Sequence, residues 1–171
     1  MGEDAIKAFA DTNEDGDQDA GEPFDAATKT WTPPASTPGC EVLITDGGRI
    51  TAANGDRATF GGNARVSEDG QASGQQQYRG HGPAQPMRVR STTVSSVPCV
   101  IDANGGNGEA SIFGTARIDG SGSFQYRIDV DDNGEPGRGR DTYHIQLSNG
   151  YDSGVQTQGG NIQVQRMQTA G

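Results

Sequence analysis

Residues 11–22 read DTNEDGDQDAGE, a run in which Asp11, Asn13, Asp15, Asp17 and Asp19 fall on alternate positions. Gly16 stands sixth and Glu22 twelfth. Oxygen donors at positions 1, 3, 5, 9 and 12, with a glycine at the sharp turn, are the spacing of a calcium loop of the EF-hand type. Position 7 gives its backbone carbonyl, so Asp17 supplies C=O there, and Glu22 can give two oxygens toward the roughly six to eight that Ca2+ takes. Most acidic runs are only solvated linkers. A random one would rarely place both the glycine and the closing glutamate, so calcium is the expected ligand.

An EF-hand proper has a helix on each side of its loop. Here Pro23 follows directly, and residues 24–31 carry no apolar stripe at helical spacing. Thr28, Thr30 and Trp31 instead suit a strand. The expectation is a calcium loop between extended segments that stiffens a junction. The motif resembles the Dx[DN]xDGxxDxGEP loops of bacterial surface adhesins and other secreted repeat proteins. That resemblance, about a dozen residues long, implies calcium in an extracellular setting.

The rest of the chain must position whatever else it does. Its 27 glycines and scarce helix formers argue against an α-helical fold. A hydrophobic fraction of 30% and a net charge of −10 lean toward disorder, yet the apolar residues gather into short β-type runs. The acidic balance excludes nucleic acid as the expected partner, because phosphate contacts need a basic surface. No apolar run nears the ~20 residues that span a bilayer. Nothing reads as a signal peptide, and Met1-Gly2 ahead of Glu3-Asp4 reads as an added start, so a piece of a longer chain is expected. Arginine outnumbers lysine 11 to two, which fits either a high-GC genome or surface salt bridges.

Cys40 and Cys99 each stand beside a strand start. With a calcium loop nearby, a disulfide in an oxidising, extracellular compartment is expected; the alternative is two buried free thiols. There is no CxxC and no Cys/His cluster to hold zinc.

The organisation predicted is a calcium-loop segment over 1–31, a proline-rich linker over 32–39, a β domain over 40–166 and a tail over 167–171. Strand signals fall at 41–45, 49–52, 58–66, 74–78, 87–97, 110–118, 123–131, 141–147 and 161–166. Glycine dipeptides between them, such as Asp46-Gly47-Gly48, Asn54-Gly55 and Asp119-Gly120, supply the positive φ of tight turns. Phe124, Tyr126, Ile128 and Val130 alternate with polar residues, as do Tyr143, Ile145 and Leu147. The fold class is all-β: an antiparallel β-sandwich with long glycine-rich loops, preferred over a small barrel.

Several of these segments are familiar together. Residues 42–50 (VLITDGGRI), 54–64 (NGDRATFGGNA) and 120–126 (GSGSFQY) resemble the post-COAP domain family of secreted bacterial proteins. The strongest match is the tail: 131–137 (DDNGEPG), 141–143 (DTY), 147–151 (LSNGY) and 159–162 (GGNI). The resemblance covers about residues 40–165. It implies one β-rich accessory module near the C-terminus of a secreted or cell-surface protein, with no catalytic residues to transfer. The segment before it reads as the end of a preceding repeat module.

Other chemistry is thinner. Asp131, Asp132, Asn133, Glu135 and Asp141 crowd one connection and suit either a second calcium site or a polar hairpin loop. His81 and His144 are the two histidines; His81 lies in a glycine-proline loop, His144 points away from the Tyr143/Ile145 face, and no GxSxG elbow supplies a nucleophile. The expectation is a non-catalytic, calcium-stabilised structural or interaction module of the cell exterior. The alternatives are a carbohydrate-binding accessory module using Tyr78, Tyr126, Tyr143 and Tyr151, and an assembly subunit in which residues 4–10 act as an exchanged strand.

Overall fold

The computed structural model of the chain describes residues 2–9, 24–31, 40–102 and 107–167. The chain divides into two units, Met1–Pro33 and Pro34–Gly171. In the first, β1 (Gly2–Phe9) pairs antiparallel with β2 (Phe24–Trp31), from Gly2 opposite Trp31 to Phe9 opposite Phe24. Both flanks of the calcium motif are therefore strands, as the absence of a helical stripe requires. The strand-exchange reading assumes that residues 4–10 have no partner in the chain. That assumption fails, because residues 4–9 pair with β2.

The second unit is all-β. Its strands are β3 (Val42–Thr51), β4 (Arg57–Val66), β5 (Ala72–Gly80), β6 (Met87–Ser96), β7 (Cys99–Ile101), β8 (Gly108–Ile118), β9 (Ser121–Asp132), β10 (Thr142–Leu147), β11 (Gln156–Thr157) and β12 (Asn161–Arg166). They hydrogen-bond into one antiparallel sheet, in the order β11-β10-β9-β8-β6-β5-β4-β3-β12, with β7 also on β8. The sheet curls, so that the last strand, β12, comes to lie against β8 and β9. A Cβ added at Gly108 on β8 would press within 2.8 Å of the Val164 side chain on β12. The sequence pattern favours two stacked sheets; the pairing runs continuously through a single curled one.

Period-two alternation builds the core. Val42, Ile44, Ile112, Ile128, Val130, Tyr143, Ile145, Ile162 and Val164 are all buried, while their strand neighbours face outward. At its centre the Phe60 and Tyr143 rings stack 3.8 Å apart, and Tyr78 lies parallel to Tyr143 at 6.4 Å. Tyr78 and Tyr151 share a hydroxyl–hydroxyl hydrogen bond inside this group.

One turn assignment is wrong. Asp46-Gly47-Gly48 does not end a strand but runs through the middle of β3, paired with Gly62, Gly61 and Phe60. The glycine is there for packing. A Cβ on Gly48 would lie 2.6 Å from Gln158 Oε1 and 3.1 Å from the Phe60 ring. Gly55, Gly70, Gly120 and Gly150 do take positive φ at true turns.

Cys40 and Cys99 form a disulfide across 59 residues, with Cα atoms 6.1 Å apart. Closing a loop of that length stabilises the fold by about 4 kcal/mol in the chain-entropy model. Replacing both cysteines by alanine is therefore expected to lower unfolding free energy by about 4 kcal/mol, read as a shift of the urea midpoint. An unchanged midpoint would refute the brace.

Candidate functional site

The calcium-motif residues Asp11, Asn13, Asp15, Asp17, Asp19 and Glu22 lie outside the described residues. The strands that flank them fix one constraint: the connecting segment starts and ends on the paired residues Phe9 and Phe24.

The second acidic cluster is described, and its carboxylates are engaged by the chain itself. Along β12, Ile162 and Val164 turn their N–H groups away from β3, toward the open side of the sheet. Asp141 Oδ2 accepts from Ile162 N at 2.9 Å, and Asp132 Oδ2 accepts from Val164 N at 3.0 Å. Asp141 Oδ1 takes the Asn133 N–H and its Oδ2 the Gln158 side-chain amide. Asp132 Oδ1 takes the Gly134 N–H. Glu135, at the surface, accepts from the side-chain amides of Asn161 and Gln163, which hold its carboxyl below the usual range. Asn133 donates to the Arg140 carbonyl. Asp131 faces the other way, where Thr142 donates to it. The structure thus gathers Asp132, Asn133, Glu135 and Asp141 around β12 and sets Asp131 apart. Among the described residues no group of three or more His, Cys, Asp or Glu is placed to hold a metal ion. Gly137 belongs to the same arrangement, since a Cβ there would collide with the Asp141 carboxylate and Asn161 Oδ1.

His144 is half-buried on the outward side of β10, with Nε2 2.7 Å from Asp152 Oδ1 and Nδ1 3.5 Å from Asp129 Oδ2. Ser111 donates to Asp129 rather than to the imidazole. The set therefore contains an oriented base but no serine on it. His81 is exposed, with Nε2 2.9 Å from Thr59 Oγ1.

Inside the sheet, Asp46 accepts from Gln76 Nε2 at 2.9 Å through Oδ2. Its Oδ1 has no partner among the described residues, and neither does the Tyr143 hydroxyl. Burial pushes the Asp46 carboxyl up to about 6, against the opposing pull of the Gln76 hydrogen bond. Burial, and after it the Asp46 charge, likewise drive the Tyr126 and Tyr143 hydroxyls upward.

The feature that sequence reasoning misses is basic. A groove of about 650 Å³ opens over β3 and β4, lined by Arg49, Arg57, Arg138, Thr59 and His81, with no described carboxylate in its wall. A smaller one of about 260 Å³ adjoins it through Thr59 and is lined by Arg79, Arg88 and Gln77. Salt bridges do not account for these arginines: among the described residues, Arg127 is the one arginine with an ion pair, to Asp129. The available signal is parity. Arg49, Arg57, Arg79 and Arg88 all stand at outward positions of their strands.

No protein-family model, curated protein or solved structure matches the chain.

Two outcomes follow from the buried carboxylates. Asp141→Ala leaves the Ile162 and Asn133 N–H groups without their acceptor. It is expected to cost about 3 kcal/mol or more in urea unfolding and to speed hydrogen exchange at the Ile162 amide. As pH rises from about 4 to about 6, the unfolded chain loses the Asp46 proton while the folded chain keeps it, so this group's contribution to stability falls across that window and is flat above it. The stability of Asp46→Asn relative to the unsubstituted chain should accordingly rise by about 2 kcal/mol between pH 4 and pH 7.5. A pH-independent difference would refute the buried-acid account.

Proposed function

We propose that the chain is a non-catalytic extracellular module, structural or interaction-mediating in role, in which calcium orders the N-terminal segment. The observation that carries this reading is the Cys40–Cys99 disulfide, since such bonds persist in oxidising compartments. The DTNEDGDQDAGE motif between two paired strands supports calcium held by Asp11, Asn13, Asp15, Asp17, Asp19 and Glu22. The resemblance of residues 40–165 to the post-COAP family supports the same setting. In that reading the two flanks of the curled sheet face each other across the core as the layers of a sandwich. Among the described residues no helix is long and apolar enough to cross a membrane. The interior carboxylates Asp132 and Asp141 act as backbone acceptors, which supports a scaffold role for them.

A carbohydrate-binding role in its aromatic-platform form loses its support, because Tyr78, Tyr126, Tyr143 and Tyr151 are all buried. The strand-exchange role loses its free strand to β2.

Calcium calorimetry on the chelator-stripped chain tests the proposal. About one equivalent is expected to bind and raise the melting temperature, and Asp15→Ala should abolish the heat without unfolding residues 40–167. A second equivalent would restore a metal role to Asp131, Asp132, Asn133, Glu135 and Asp141. No heat at millimolar calcium would overturn the calcium assignment.

A further inference from the structure

The geometry points to the outward face of β3–β6 as a binding site for an anionic polysaccharide, one bearing carboxylate or sulfate groups along an extended chain. The inference rests on the extracellular module reading for its setting and deepens it by naming a ligand class.

Cross-strand register is the first support. Arg49 lies opposite Thr59, Thr59 opposite Arg79, and Arg79 opposite Arg88, so a single row crosses four strands. Three interstrand spacings make that row roughly 14 Å long. Beside it, Gln77 lies opposite Arg90, and Arg90 opposite Arg117. Two pairs of like charges thus face each other directly, an arrangement that costs stability unless an anion relieves it.

Neither Asp119 nor Asp56 forms an ion pair with these arginines among the described residues. Asp119 accepts the Arg88 backbone N–H at 2.9 Å, and Asp56 is buried against the N–H groups of Ala84 and Gln85. In a chain of net charge −10, a face this basic is a local reversal of sign, suited to drawing in an anion that the rest of the molecule repels.

The spacing and the side chains select the polymer. Guanidinium groups present planar forks that match carboxylate and sulfate oxygens. Thr59 and Gln77 stand between them, offering hydroxyl and amide groups to sugar hydroxyls. Single-stranded nucleic acid is instead held by bases stacked on exposed aromatic rings, with a charge every ~3.4 Å. Phe60 and Tyr78, the aromatic residues beneath these grooves, are buried. Two adjoining grooves sharing Thr59 fit a chain of repeating units better than one small ion.

The test is calorimetry and affinity electrophoresis of the full chain, without added calcium, on polygalacturonate, heparin, dextran and a single-stranded oligonucleotide. Binding to polygalacturonate or heparin but not dextran is expected, weakening as salt rises. Arg79→Gln with Arg88→Gln should weaken it about tenfold per arginine with a melting temperature equal to or above that of the unsubstituted chain, whereas Arg127→Gln with Arg166→Gln should leave binding within about twofold. Binding to neither anionic polymer would overturn the inference, as would binding indifferent to the Arg79/Arg88 change or tighter binding to the oligonucleotide. Because calcium is absent throughout, these outcomes are independent of the calcium titration.

Discussion

The curled sheet depends on what happens at β12. A strand at the end of a sheet exposes unpaired N–H groups, and buried ones need an acceptor. β12 pairs with β3 on one side. On its other side two carboxylates, Asp132 and Asp141, stand where a neighbouring strand's carbonyls would be. The curl can therefore end against β8 and β9 without closing into a full ladder, and Ile162 and Val164 still fill the core. Asp141 does more than cap. Through Asn133 and Gln158 it fixes the β9–β10 connection and the approach to β12 from one buried point. Gly137 is small because that carboxylate occupies the space a side chain would need.

Much of this architecture is legible in the residues. Alternation in Tyr126, Ile128 and Val130 and in Tyr143, Ile145 and Leu147 marks buried faces correctly, because a half-buried strand has no other way to sort its side chains. Asn54-Gly55 and Asn149-Gly150 mark true turns. Asp46-Gly47-Gly48 misleads because glycine serves two ends: here it admits a tight contact with Gln158 and Phe60, and local sequence does not distinguish that from positive φ. The acidic run at 131–141 suits either a metal site or a polar loop for a similar reason. The partners that engage its carboxylates, on β12, lie some 20 to 30 residues further along the chain. The arginine face is scattered over four strands and becomes a single row only once register is known.

Charge is also segregated along the chain. Nine of the 23 acidic residues fall within the first 31 positions, and none of the 11 arginines does. Net charge therefore describes neither part well. The acidic excess belongs largely to the calcium-motif segment, whereas the outer surface of β3–β6 is locally positive.

The disulfide has a mechanical consequence. Tension carried along the backbone into Cys40 passes through the sulfur bridge to Cys99 and bypasses the 58 residues between them. That shortcut withholds roughly 200 Å of contour length from extension. The stretch held back contains β3, β4, β5 and β6, and with them Arg49, Arg57, Arg79 and Arg88. Pulling on the two ends of the chain therefore does not draw these four strands out into extended chain while the bridge holds.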